Sequence, residues 1–116
     1  MAATPLTVLD ISRAGALKAL TAANTDGHTI ANTGKEFIEV ANGAGAPITV
    51  TIAWGTGGTI DGVTPTARTI TVTNATSKLI GPFPPSLYND ANGNVTITFS
   101  SVTTITCQAL RVTPAI

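Results

Sequence analysis

Catalysis, metal binding and phosphate binding each need particular side chains at particular spacings, and a few places in this 116-residue chain come near such a pattern. Cys107 and His28 are its single cysteine and single histidine, the two halves of a nucleophile–base pair in which an imidazole takes the thiol proton. Cys107, however, alternates with Ile105 and Ala109 at an inward-looking strand position, where a free cysteine behaves as a small hydrophobe. His28 follows a turn and has only Asp26 as a nearby carboxylate. The pattern favours packing over catalysis. A single cysteine also excludes an intrachain disulfide and a cysteine metal cluster.

The remaining motifs fail on their own terms. Asp90, Asn92 and Asn94 open like a calcium loop, but such a loop needs glycine at its sixth place and an acidic twelfth ligand. Those places hold Val95 and Ser101. Gly55-Thr56-Gly57-Gly58 lacks the Lys-Ser/Thr ending and the helix of a phosphate loop, and reads instead as the flexible end of a strand. Asn74-Ala75-Thr76 and Asn94-Val95-Thr96 match the glycosylation acceptor pattern, which arises easily by chance in so threonine-rich a chain. The N-terminus carries no basic region followed by a long apolar core, so no signal peptide is expected. No cofactor or metal is implied.

The elements that position these residues are strands. About one residue in five is threonine, and threonine, valine and isoleucine fit a pleated surface because their side chains branch at Cβ. Ile48, Val50, Ile52 and Trp54 alternate with Thr49, Thr51 and Ala53, the clearest half-buried strand. Similar patterns cover His28 to Asn32, Lys35 to Asn42, Arg68 to Asn74, Val95 to Ser100 and about Thr103 to Val112. In the last, the apolar parity changes near Ala109, which suggests a bulge. Leu6 and Val8 lie in an extended N-terminal segment, residues 1–9, read either as an arm or as a first strand. Ser12 to Asn24 reads as irregular or extended. Asn42 to Pro47 reads as a hairpin-type connection. About eight short antiparallel strands at this spacing predict one all-β domain over residues 1–116, a β-sandwich of jelly-roll or immunoglobulin-like type.

Charge narrows the partners. Six basic and six acidic residues leave no net charge, and only 10% of positions are charged. A nucleic-acid binder would show a basic stripe, and none is present. No apolar run approaches a membrane span. Neutral charge with positive mean hydropathy suits a protein docked in an assembly.

The alternation breaks at Lys78-Leu79-Ile80-Gly81-Pro82-Phe83-Pro84-Pro85-Ser86-Leu87-Tyr88-Asn89. Three prolines remove three backbone donors and fix φ, so this stretch predicts a stiff crossing between strand blocks rather than a central strand. Phe83 and Tyr88 read as core packing beneath it or as interface anchors, with the balance toward core; Trp54, at a strand end, reads equally as either.

Together with Thr21-Ala22-Ala23, Asp26-Gly27-His28, Asn32-Thr33-Gly34-Lys35, the Phe37–Asn42 run, Val50-Thr51-Ile52, Asp61-Gly62 and Val95 through Thr103, the proline segment resembles a family of small β-rich structural proteins of tailed bacteriophages that decorate or cement the capsid. The resemblance covers most of the chain, and the Ile-Gly-Pro-Phe-Pro-Pro segment is its most specific part. It implies a non-enzymatic virion protein on the outer capsid surface, binding the major capsid protein as a homo-oligomer, a trimer by analogy. The chain ends would serve as pairing arms: Met1 to Leu9, with Leu6 and Val8, and Arg111 to Ile116. A carbohydrate- or surface-binding module of a phage tail or fibre is the alternative, in which Trp54 and Tyr88 would be exposed platforms.

Overall fold

The computed structural model describes residues 3–55 and 57–112. Along the chain run β1 (Thr4–Pro5), β2 (Val8–Ile11), β3 (Thr21–Ala22), β4 (His28–Ala31), β5 (Glu36–Asn42), β6 (Ile48–Ile52), β7 (Arg68–Val72), β8 (Thr76–Ile80), the helical turn α1 (Pro85–Tyr88), β9 (Asn94–Phe99) and β10 (Ile105–Val112). One sheet has the order β1-β4-β9-β6-β7, and the other β2-β10-β5-β8, with β3 also on β10. The two pack face to face as a β-sandwich.

Alternation explains the packing. In β6, Ile48, Val50 and Ile52 are buried while Thr49 and Thr51 are half-exposed. Across from them, Ile38, Val40, Ile105, Cys107 and Ala109 close the core from the second sheet. The interior is mostly isoleucine and valine, and among the described residues Phe83 and His28 bury their rings in it. Each such side chain stabilises by roughly 1.5–3 kcal/mol relative to exposure. A surface ion pair contributes about 0–1 kcal/mol, so the branched aliphatics decide the fold.

Two strand pairs are parallel where an antiparallel set was expected. β1 lies parallel to β4 with Thr4 opposite His28, and β2 lies parallel to β10 with Val8 opposite Ala109. Of the two readings of the N-terminal segment, the described part is thus a first strand. It crosses from one sheet to the other, held by Thr4 N to Gly27 O (3.1 Å) and Leu6 N to Thr29 O (2.8 Å). Leu6 and Val8 pack against the core. Alternation alone cannot say whose edge an extended segment joins. Of the expected C-terminal arm, Arg111 and Val112 belong to β10, and residues 113–116 lie outside the described part.

Three further expectations need correction. The Asn42–Pro47 connection is no hairpin: β5 and β6 belong to different sheets. Asn42 makes the crossing, donating to the carbonyls of Ala46 (2.9 Å) and Val72 (3.0 Å) and accepting from the Ala44 amide (2.8 Å). Second, β10 has no bulge near Ala109, because its register with β5 runs one-to-one from Ile105–Asn42 to Arg111–Glu36. Gln108 and Leu110 are buried on its outer face by cover instead. Leu9 stands beside Leu110, and Lys18 reaches across to Glu39 on the same face at 2.7 Å. Third, Thr76–Ile80 is a strand, which its weak pattern hid because only Ile80 of its five residues is buried.

The proline segment does cross, from β8 in the second sheet to β9 in the first. The Gly81–Pro82 peptide is cis. Within the crossing, Pro85 to Tyr88 form one helical turn, for which proline's fixed φ suits the first position.

Candidate functional site

The crossing gathers the aromatic residues. Phe83 is buried, and the Tyr88 ring meets it edge-on at 6.0 Å and Trp54 edge-on at 5.6 Å. Trp54 Nε1 donates to the Gly58 carbonyl at 3.1 Å. The Gly55 amide donates to Leu87 O at 2.9 Å, and a Cβ on Gly55 would run into the Tyr88 and Asn89 backbone. A Cβ on Gly57 would sit 2.7 Å from Trp54 Cζ2. Gly55 and Gly57, in the segment compared with a phosphate loop, are therefore a ledge on which α1 rests. Trp54 is half-buried, with Tyr88 edge-on to it.

A carboxamide clasp fixes the same region. Asn32 Nδ2 donates to Phe83 O (3.0 Å) and Asn89 Oδ1 (2.7 Å), while Asn89 Nδ2 donates back to Asn32 O (3.0 Å). The Gly34 amide donates to Asn32 Oδ1 at 3.0 Å. Polar groups buried this deeply need such partners. Nothing in the local pattern announces the clasp, because Asn32 and Asn89 are 57 residues apart.

Cys107 and His28 do not form a reactive pair. His28 is buried; its Nε2 accepts from the Asn24 amide at 3.1 Å, so its proton sits on Nδ1, which donates to Thr4 O at 3.0 Å. Both ring nitrogens thus serve the backbone. Burial pushes the Cys107 thiol up to about 11, away from the thiolate that nucleophilic attack requires. Asp90, instead of opening a calcium loop, accepts from the amides of Asn92 (2.8 Å) and Asn94 (3.0 Å) through the same oxygen, Oδ1. Among the described residues no group of three or more His, Cys, Asp or Glu could hold a metal ion.

Leu6, Val8 and Arg111 lie away from the aromatic cluster. Arg111 grips Asp10 through Nε (2.7 Å) and Nη2 (3.1 Å) and reaches Glu36 with Nη1 (3.2 Å). Glu36 is fully buried. Burial by itself would push its carboxyl up, but the Thr33 amide and hydroxyl and the Arg111 guanidinium together outweigh it and hold the group below its usual range. Asp10, followed by Glu36, raises Arg111 in turn. This ion network ties β2, β5 and β10 together at one end of the sheet.

Apolar side chains remain outside. On the outer face of the second sheet, Phe37, Leu110 and Leu9 form one cross-strand row and Val112 and Ile11 the next, with Leu79 on the neighbouring edge strand. Leu79 is 68% exposed and Val112 54%. The sequence pattern missed these because an outward leucine in a strand looks like any other alternate position. No family model, curated protein or solved structure matches the chain.

Proposed function

We propose that this protein is a non-enzymatic structural component of a phage virion that docks on the outer surface of the shell and bridges major capsid subunits. The observation that carries the reading is the apolar outer face of the second sheet, where Leu79, Val112 and Ile11 stand exposed around Leu110 and Phe37. Exposed apolar side chains gathered on one sheet face, here with the Lys18–Glu39 ion pair between Leu79 and the Ile11–Val112 end, mark a contact with another protein. The resemblance of the proline segment and its flanking strands to capsid-decorating proteins supplies the partner, and an aliphatic sandwich supplies the rigidity that bridging requires. Many copies on one shell add modest contacts into a durable attachment. A homo-oligomer, a trimer by the same resemblance, is part of the proposal.

The test is addition of purified protein to shells that lack it. Binding should saturate and raise the temperature at which the shells disrupt. Leu79→Asp combined with Val112→Asp, at exposed positions, should keep the fold and weaken attachment about tenfold or more. Attachment unchanged by the double substitution, or location in the tail rather than on the shell, would sink the reading.

A further inference from the structure

The sandwich is open along one side. β7 ends the first sheet and β8 ends the second, each bonded to one neighbouring strand, β6 and β5 respectively. Between these two edges lies a cleft of about 460 Å³, closed at its base by the proline crossing and Tyr88. Register shows what it offers. Ile70 stands opposite Val50, Lys78 opposite Val40, Ile80 opposite Ile38 and Arg68 opposite Ile52, so all four point toward the interior side of their sheets. The cleft thus has an apolar floor of Ile70, Ile80 and Phe83 with a cation on either lip.

The charges are not answered. The ion pairs among the described residues are Lys18–Glu39, Arg111–Asp10 and Arg111–Glu36. Among the described residues no aspartate or glutamate lines the cleft, and Arg68 meets the Tyr88 hydroxyl at 3.4 Å. Lys78 and Arg68 are both exposed to water, and an inward-pointing cation on an edge strand disfavours pairing with an uncharged strand. It suits a groove that takes a complementary side chain.

We infer that the cleft between β7 and β8 receives an extended segment of another protein, which adds to the free edge of β8 and carries a carboxylate between two apolar residues at alternate positions. Backbone hydrogen bonds along β8 supply generic affinity, and the alternate side chains supply selectivity. With period two, three successive inward residues of a strand added to β8 would face Ile80, Lys78 and Thr76, which places the carboxylate at Lys78 in the cleft that Arg68 also lines. Its outward residues would cover part of Leu79. The inference is separate from the shell reading, since such a segment fits this groove whatever assembly provides it.

The experiment titrates isotope-labelled full-length protein with the peptide acetyl-Thr-Val-Thr-Glu-Thr-Val-Thr-amide and follows backbone amide shifts. Shifts should concentrate in residues 76–80 and 68–72. The same peptide with lysine in place of glutamate should bind about tenfold more weakly, and added salt should narrow that gap. Lys78→Glu with Arg68→Glu should reverse the preference; if that variant misfolds, Lys78→Gln should halve or abolish the discrimination while preserving the amide spectrum. Equal binding of both peptides, shifts elsewhere, or no binding would overturn the inference. So would an occupied β8 edge in the free protein through self-association, detected by sedimentation.

Discussion

The carboxamide of Asn32 donates to two acceptors and accepts from one amide, so its truncation removes the bonds to Phe83 O and from the Gly34 amide together, and one donor from Asn89 Oδ1. Stranding buried polar groups costs about 1–3 kcal/mol each before relaxation. Asn32→Ala should therefore lower the denaturant midpoint clearly, with the slope of the transition unchanged, by equilibrium unfolding. Glu36 predicts a pH dependence. Its native pKa lies below the ordinary 4.5, so its stabilisation is fully present above that value and is lost as pH falls through the lowered native one. Glu36→Gln should reduce stability at pH 7 and flatten the acid side of the profile. Acid unfolding identical in both proteins would refute this. Cys107 runs the other way, its thiol raised toward 11, and should react with a disulfide reagent at pH 8 only as fast as the domain unfolds.

At the scale of the element, the proline crossing is a brace with two kinds of attachment. Its apolar side inserts Phe83 into the core, and its polar side is clasped by Asn32. Phe83→Ala should cost roughly 3–5 kcal/mol, the range for removing a buried aromatic ring. Gly55→Ala tests the ledge, because the added methyl meets the backbone of Tyr88 and Asn89 instead of a movable side chain. It should destabilise the domain and change Trp54 fluorescence, whereas the same change at Gly45, with open space around it, should do neither. How the stretch reads in sequence follows from proline chemistry, which is local. That it begins in one sheet, ends in the other and turns through one helical turn depends on distant contacts.

For the whole molecule, the first strands decide whether residues 4–11 are free to reach neighbours. Residues 4–5 and 8–11 pair with β4 and β10 of the same chain. Deleting residues 1–11 should thus expose one edge of each sheet, lower the melting temperature and promote association, as unpaired strand edges do. A truncated protein that melted like the full chain would show that this segment is an arm after all.

What the sequence by itself determined is the class of structure and the identity of the core. Threonine alternating with isoleucine or valine leaves each strand one apolar face, and two such faces can be hidden only against each other; Val50 and Ile52 could be named on that ground alone, whereas Ile38 and Val40 alternate with Phe37 and Glu39, and only the packing chose their face. Which strands meet, and in which direction, was settled only in three dimensions. The same alternation serves a hairpin, a crossing or a parallel edge equally well, so Asn42–Pro47, Thr76–Ile80 and the N-terminal strands waited on long-range register. The reactive-looking pair was legible in type but not in fate. His28 and Cys107 are the residues chemistry would choose, and the tertiary structure turned one toward Thr4 and Asn24 and buried the other, because a small core spends its polar groups on its own backbone first.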